Sequence, residues 1–542
     1  NYYYYVTIFW CLQEEKSPSL KPFLSSLGCR MIMNLSHPVS TVEQLIAGID
    51  NLTKNEKNKD AKDVLNNIFE ELSSLPENTK KNFAQLLQPE NSDQNSQDID
   101  SSCSSKKPLE GYSSLPIPNT KAPLNVFSFK DAENNTIGWR NVYQLPVEYD
   151  LEIRTNIFDP SFNNLALKML PHHGPKRRFL VIDENVNELY GNRIKTYFEV
   201  HGIDTYTVVI PGEEVNKRYD AVDQILEGCC EFGLHRREPI IAIGGGCILD
   251  IAGLAANLYR RGVPFIRVPT TLLALVDASV GVKNGVDYCS CSKGPQKNRV
   301  GSFYGAACVY LDKSFIATQN KRNIVNGMGE IMKLALVRSS ELFELLQHHG
   351  QRLIREKFQG NDGVADQVIE KSIEIMLEEL GPNLWEYKLE RCVDYGHTFS
   401  KIIEMQPGAD IMHGEAVNID GFLCVVISHQ RGMISSQTRD KIFTVMQEIG
   451  LPTLSEFCTV DILEQGLKDA VEHRHGAQRI PLINGIGSSI CVNDITKEEL
   501  ARACEELQSM HAFDGKLKRS PSIKHLDGLD KLSHDGTDAP KA

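Results

Sequence analysis

The sequence predicts an α/β protein in which a parallel-sheet domain is followed by a mainly α-helical one. Three observations carry that expectation. From about residue 145, short apolar runs alternate with helical patterns: RRFLVID (177–183), TYTVVIPG (205–212), EPIIAIGGG (238–246) and PFIRVPT (264–270) read as buried strands, and YDAVDQILEGCCEFG (219–233) as a helix between two of them. That alternation is the signature of a parallel sheet covered by helices on its faces. After about residue 315 the strand signals thin out, and helix-period segments dominate from SSELFELLQHHGQRLIREKF to EELARACEELQSMH. Finally, 542 residues at 41% hydrophobic and 24% charged are ordinary globular composition, with room for more than one core.

The elements divide as follows. Residues 38–88 read as helical: Ser40 and Glu43 suit a capping box, and Val64, Leu65, Ile68, Phe69 and Leu72 recur at helix spacing. Residues 89–125 are polar and rich in Ser, Asn and Pro, so 1–125 is expected to be a helical appendage with a disordered linker. The parallel-sheet domain is placed at 145–315, the helical one at 316–512, and a disordered tail at 513–542. The opening NYYYYVTIFWC lacks the basic start and cleavage site of a signal peptide, and with the first methionines at Met31 and Met33, residues 1–30 need not be native coding sequence.

Bulk chemistry narrows the partners. A net charge of −13, spread along the chain, argues against nucleic acid or an anionic membrane, and no apolar run approaches the ~20 residues that span a bilayer. Fourteen cysteines at irregular positions, without CxxC pairs, read as reduced thiols and a cytoplasmic location. Any anionic ligand must therefore meet local cations.

Several stretches offer chemistry. EPIIAIGGGCILDIAG runs from a buried strand through Gly244, Gly245 and Gly246 into a helix, which suits either a tight turn or a backbone cradle for a pyrophosphate. Asp183 and Asn185 end one strand, and Thr270 and Thr271 follow another, at the edge where ligands of open α/β sheets sit. Asp277, Lys283, Lys297 and Asn298 read as two glycine-interrupted loops, able to take a phosphate or to be solvated surface, and Arg260 and Arg261 lie nearby in sequence. In NGMGEIMK, Glu330 and Lys333 are one helical turn apart. VDYGHTFSKIIEMQPGADIMHGEAV reads as amphipathic helix with His397 and His413 sixteen residues apart, each beside a glycine. A carboxylate and two histidines would leave an open position on Zn²⁺, as a catalytic metal requires, whereas Glu330 alone reads as a surface ion pair.

In order, GGGCILD, RRGVPFIRVPTTLLALVDASVGVK, KNRVG, GEIMK, DYGHT and HGEAV resemble the sugar phosphate cyclase superfamily, which includes dehydroquinate synthase; the resemblance spans about residues 145–512. It implies a Rossmann-like NAD-binding domain followed by a helical metal-binding domain, and a homodimer. It implies Glu330, His397 and His413 as ligands of one Zn or Co ion. NAD contacts fall on Asp183, Asn185, Glu214, Lys217, Gly245, Gly246, Asp250, Thr270 and Thr271, and substrate contacts on Asp277, Lys283, Asn298, Lys333 and, across a dimer interface, Arg261. The implied chemistry is transient oxidation, phosphate elimination, reduction and intramolecular aldol closure, with NAD recycled.

Departures from the dehydroquinate synthase pattern indicate the branch. Where that enzyme reads a substrate carboxylate with a lysine and an arginine, this chain has Met376 and Glu390; the neighbouring Arg391 is the one possible substitute. A carboxylate 4 Å from Glu390 would cost roughly 4 kcal/mol at an effective dielectric near 20. Asp394 replaces an asparagine and suits sugar hydroxyls. The expected substrate is sedoheptulose 7-phosphate, on the valiolone-forming rather than the gadusol-precursor branch, with dehydroquinate synthase and metal-dependent polyol dehydrogenase as further alternatives. Lys401, four residues after His397, is expected either to share its helical face and reach the phosphate or to be solvated.

Overall fold

The computed structural model describes residues 117–118, 126–131, 133–141, 147–170, 175–291 and 294–513. The helices expected over 38–88, most of the linker and the tail beyond 513 lie outside the described residues. The chain divides into two units, Asn1–Gln144 and Leu145–Ala542. In the first, β1 (Ile117–Pro118), β2 (Val126–Lys130) and β3 (Thr136–Asn141) form an antiparallel sheet. β1 falls inside the stretch read as linker, where two residues of backbone pairing carry no periodic signal.

In the second unit, a six-stranded sheet has the order β4 (Asp150–Ile153), β11 (Cys308–Leu311), β8 (Phe265–Pro269), β7 (Ile240–Gly244), β5 (Arg177–Asp183), β6 (Asp204–Ile210). Every pair is parallel, as expected. The strands are continuous apolar runs because both faces are covered, and successive side chains alternate between them. Leu180, Ile182, Ile241, Ile243, Ile266 and Val268 pack on one side with Ile194, Tyr197 and Phe198 of α2 (Glu184–Val200); the short α1 (Asn164–Leu167) contributes Leu165 to the same layer. Phe179, Val181, Ile240, Ala242 and Phe265 face the other way, against α3 (Tyr219–Phe232) and α4 (Gly246–Leu258), in a core continuous with the helical part.

That part comprises α5 (Lys321–Arg338), α6 (Ser340–Arg355), α7 (Val364–Leu380), α8 (Ser400–Glu404), α9 (His413–Gln430), α10 (Ser436–Ile449), α11 (Val460–His473) and α12 (Lys497–Phe513). No helix among the described residues is long and apolar enough to cross a membrane. α5 and α9 are buried almost all round.

Two readings need correction, and one hairpin was not anticipated. The segment with Lys283, Lys297 and Asn298 is not a pair of loops: β9 (Lys283–Ser290) and β10 (Gly294–Phe303) form an antiparallel ribbon, with a register shift between Gln296 and Val300 where Asn298 adopts φ +50°. Polar residues and glycines hid the alternation. A second hairpin, β12 (Ile480–Gly485) with β13 (Ser488–Val492), interrupts the helical half. The stretch from His397 to His413 is mostly irregular; α8 supplies only five helical residues, and Pro407 and Gly408 follow it.

Candidate active site

Glu330 projects from the middle of α5, His413 is the first residue of α9, and His397 lies in the turn before α8. Glycines bring these three backbones together. A Cβ on Gly329 would stand 2.2 Å from the Gly414 carbonyl oxygen, and one on Gly414 would stand 1.9 Å from that of Asn326. The helices therefore cross in backbone contact one residue from each ligand. Gly396, at φ +74°, leaves no space for a Cβ beside Val417 on α9. This explains the glycine next to each histidine. Gly414→Ala must push α9 off α5; it is expected to reduce stoichiometric zinc binding at least about tenfold, measured by metal analysis on the folded variant.

Glu330 is fully buried; its Oε1 has no hydrogen-bond partner among the described residues, while Oε2 meets the Lys333 ammonium. Its Oε1 lies 3.4 Å from His413 Nε2 and 3.7 Å from His397 Nε2, and ligand atoms of all three lie within 4.8 Å of one another. His397 Nδ1 is 3.0 Å from the Tyr395 carbonyl, which can only accept, so the proton sits on Nδ1 and Nε2 presents its lone pair. Burial, with Lys333 and His413 close by, holds His397 well below the ordinary imidazole range and hence neutral. His413 Nδ1 faces Glu404 Oε2 at 3.4 Å; burial opposes its protonation, but Glu404 outweighs burial and raises it. A buried carboxylate with one oxygen free toward two directed imidazoles, one of them backed by a carboxylate, fits a divalent metal with an open position.

Around this centre, Lys333 Nζ lies 2.6 Å from Glu330 Oε2 and 3.5 Å from Asp277 Oδ2. The pair read from sequence as a surface contact is thus buried. Burial would raise the Glu330 carboxyl, yet Lys333 brings it below its usual range. Asp277 sits in a π-helical turn, Ala274–Ala278, a local widening common at functional sites.

The cofactor candidates gather at the C-terminal edge of the sheet. Gly245, extended, precedes α4 without a side-chain cap, so the first amides of that helix are open to an anion. Asp183 ends β5 and caps α2 through Oδ1, accepting from Asn185 N at 2.9 Å and Val186 N at 3.2 Å; its Oδ2 occupies space that a Cβ on Gly212 would need, 1.7 Å away. Thr270 N donates to the Gly244 carbonyl at 3.0 Å, and Thr271 lies against Gly245. Lys217 pairs with Asp250 at 2.7 Å and donates to Asn298 Oδ1 at 2.9 Å. Glu214 pairs with Lys297 at 3.0 Å; burial alone would raise it, but Lys217 and Lys297 hold it at about 2. A glycine cradle, an uncapped helix start and a directed carboxylate fit a dinucleotide.

Sequence reasoning named Lys297 only as a phosphate candidate and missed Glu404, Asp420 and Arg267, the groups that tie these parts together. Lys297 also pairs with Glu404, so one lysine joins the Glu214 loop to the carboxylate behind His413. Asp420, fully buried on α9, accepts from the amides of Thr398, Phe399 and Ser400 at 2.8, 2.6 and 2.9 Å, fixing the turn that carries His397. Arg267, fully buried in β8, donates to the carbonyls of Ser279, Gly281 and Lys283 and to Asn284 Oδ1, holding the run from Asp277 to Lys283. An interior Asp on an apolar helix and an Arg within a strand were the available signals.

Other candidates are placed differently from expectation. Arg261 is exposed at the far end of α4, on the N-terminal side of the sheet, and the chain does not bring it to the site. His397 precedes α8, so Lys401 does not share a helical face with it. Lys401 is nonetheless half-buried, its amine lowered by burial beside Arg474 and Lys283 despite Asp394. Asp394 is clamped by Arg391, which donates Nη2 to Oδ1 at 2.7 Å and Nε to Oδ2 at 3.2 Å, with Arg474 3.6 Å away. Met376, on α7, is buried in the core.

The chain matches the family models for the N-terminal part of 3-dehydroquinate synthase over residues 207–326 and for its C-terminal part over 327–470. It is 45% identical over 371 residues to a 2-epi-5-epi-valiolone synthase from Streptomyces albus, covering 68% of this chain and 89% of that one. A demethyl-4-deoxygadusol synthase from Trichormus variabilis is 37% identical over 363 residues, covering 66% and 87%. Among solved structures, ValA, a 2-epi-5-epi-valiolone synthase from Streptomyces hygroscopicus subsp. jinggangensis 5008 with NAD⁺ and Zn²⁺ bound, superposes with a TM-score of 0.65 at 38% identity, over 69% of this chain and all of that one. The fold, the converging carboxylate and imidazoles, and these identities agree: the chain belongs to the sugar phosphate cyclase superfamily, which unites the 3-dehydroquinate and 2-epi-5-epi-valiolone synthases.

Proposed function

We propose that the chain is a cyclase that converts sedoheptulose 7-phosphate to 2-epi-5-epi-valiolone with release of phosphate. The observation that carries the reading is the convergence of Glu330, His397 and His413 beside the Lys333–Asp277 pair, one lysine away from the dinucleotide cradle. The choice of substrate leans on the 45% identity to a protein of that name and on the clamped Asp394 wall.

Bound NAD and a divalent metal supply a hydride acceptor and a Lewis acid beside one substrate hydroxyl. Glu330, His397 and His413 hold the metal. Lys333, kept charged by Glu330 and Asp277, donates to the oxygen on which negative charge develops. Asp277 and Asp394 orient hydroxyls, and Asp183, Asn185, Gly245, Gly246, Thr270 and Thr271 seat the dinucleotide, with Glu214, Lys217 and Asp250 as its charged rim. Lys283, Asn298 and Lys401 bind the phosphate, whose own oxygens can accept the proton lost in elimination. Arg261 joins them only from a second copy, so this reading calls for a homodimer; a cytoplasmic location follows the reduced-thiol reading.

Protein incubated with sedoheptulose 7-phosphate, NAD⁺ and Zn²⁺ or Co²⁺ is expected to release one phosphate per product without net NADH, the product being identified by mass and NMR. Absence of phosphate release overturns the reading. Demethyl-4-deoxygadusol as product would place the chain with its 37%-identical relative, and NADH accumulating with a polyol would make it a dehydrogenase.

A further inference from the structure

The turn between α7 and the His397 segment, GPNLWEYKLER, has no part in the chemistry above, yet it delivers a carboxylate to Arg391 and Lys283. Asn383 pins it: Asn383 Nδ2 donates to the Lys388 carbonyl at 2.7 Å, and Lys388 N donates to Asn383 Oδ1 at 3.0 Å. Trp385 packs edge-on against Phe303 of β10, centroids 5.7 Å apart. Between these anchors Glu386 takes φ +56°, a conformation that costs a non-glycine residue free energy and is kept where surroundings enforce it. Its carboxylate pairs with Arg391 and lies 3.2 Å from Lys283 Nζ.

Arg391 is the guanidinium that could have replaced the carboxylate-reading arginine of dehydroquinate synthase. It does point into the wall, only 14% exposed, but both of its neighbours there are acids: Asp394 takes a two-pronged bond and Glu386 takes Nη1. A ligand carboxylate would have to displace one of them, leaving that anion beside it, and planar bidentate recognition cannot be shared with a third carboxylate. A neutral hydroxymethyl ketone meets no such conflict.

We propose that Glu386 is a specificity-determining residue that, with Asp394, occupies Arg391 and so excludes sugar phosphates bearing a carboxylate head. This deepens the proposed function and rests on its choice of a neutral-headed substrate. Because Lys283 would meet the phosphate of either ligand, any effect of Glu386 through Lys283 cancels in a ratio of the two affinities, whereas an effect through Arg391 does not.

The test measures binding of sedoheptulose 7-phosphate and of 3-deoxy-arabino-heptulosonate 7-phosphate by calorimetry to the zinc-loaded protein holding NADH, which cannot accept a hydride and so binds without turnover. Wild type is expected to prefer the neutral-headed sugar. Glu386→Gln keeps the shape, removes one charge, and should narrow that preference about ten- to a hundredfold, the partial exposure of the pair setting the lower end. Glu386→Gln combined with Arg391→Met should restore the preference, which separates exclusion through Arg391 from a general loosening of the turn. A ratio unmoved in Glu386→Gln, or equally narrowed in the double variant, overturns the proposal. Failure of the NAD⁺-loaded wild type to release phosphate from the neutral sugar would instead count against the proposed function, since the affinity ratio is measured on the non-reacting NADH form.

Discussion

Glu330→Gln should lose metal, activity and stability together, whereas His413→Ala should lose the first two and keep most of the third. Glutamine preserves the volume of Glu330 but removes the anion 2.6 Å from Lys333 Nζ, and both side chains are nearly inaccessible to water. Removing one member of a buried pair leaves the other charge uncompensated, at a cost of about 3–5 kcal/mol. Asp277, 3.5 Å from the same ammonium, offsets part of it. His413, by contrast, is 35% exposed, and its loss leaves the Glu330–Lys333 pair intact. Metal content by elemental analysis, phosphate release and Tm of the metal-free proteins check the three effects. Glu330→Gln with full metal content would show that Glu330 is not a ligand, and equal Tm losses in both variants would remove the buried pair from the argument.

The fold was legible where the chain obeys a simple period. β5, β7 and β8 appear as apolar runs because the sheet is covered on both faces, and their boundaries fall within two residues of the expected ones. The ribbon β9–β10 was not legible, because glycines and polar residues interrupt its alternation and its lysines serve ion pairs rather than a core. The proposed metal ligands were recognisable as residues but not as a geometry: what joins Glu330 to His413 is the crossing of two helices at Gly329 and Gly414, 85 residues apart in sequence. For the same reason Glu404, Asp420 and Arg267 escaped notice. Their roles lie in which backbone or side chain they touch, and no local pattern encodes that. Arg391 shows the converse: its position was visible, but its capture by Glu386 and Asp394 was not.

Lys333→Met provides the strongest separation between structure and chemistry at this site. Lys333 is the only lysine or arginine paired with Glu330 among the described residues, and its own charge is stabilised, against burial, by Glu330 and Asp277. Methionine fills similar space and removes that charge, leaving Glu330 buried against two imidazoles. The metal-free variant should therefore be less stable than wild type by about 3 kcal/mol or more. Protonating Glu330 removes the unpaired charge, so the deficit should shrink as the pH falls: without Lys333, burial, the largest influence on the carboxyl, is opposed only by His413 and Asp277 and should raise it, and a raised carboxyl favours folding on the acidic side. A divalent ion also supplies the missing positive charge, so Zn²⁺ should raise the Tm of Lys333→Met more than that of wild type. Turnover should nevertheless stay at least about a hundredfold down with metal bound, because no donor remains for the developing oxyanion. Stability rescued by zinc without rescue of phosphate release would assign Lys333 to the chemistry. Recovery of both would reduce it to a counter-ion for Glu330, and the hydroxyl would then have to be oriented by Asp277 alone.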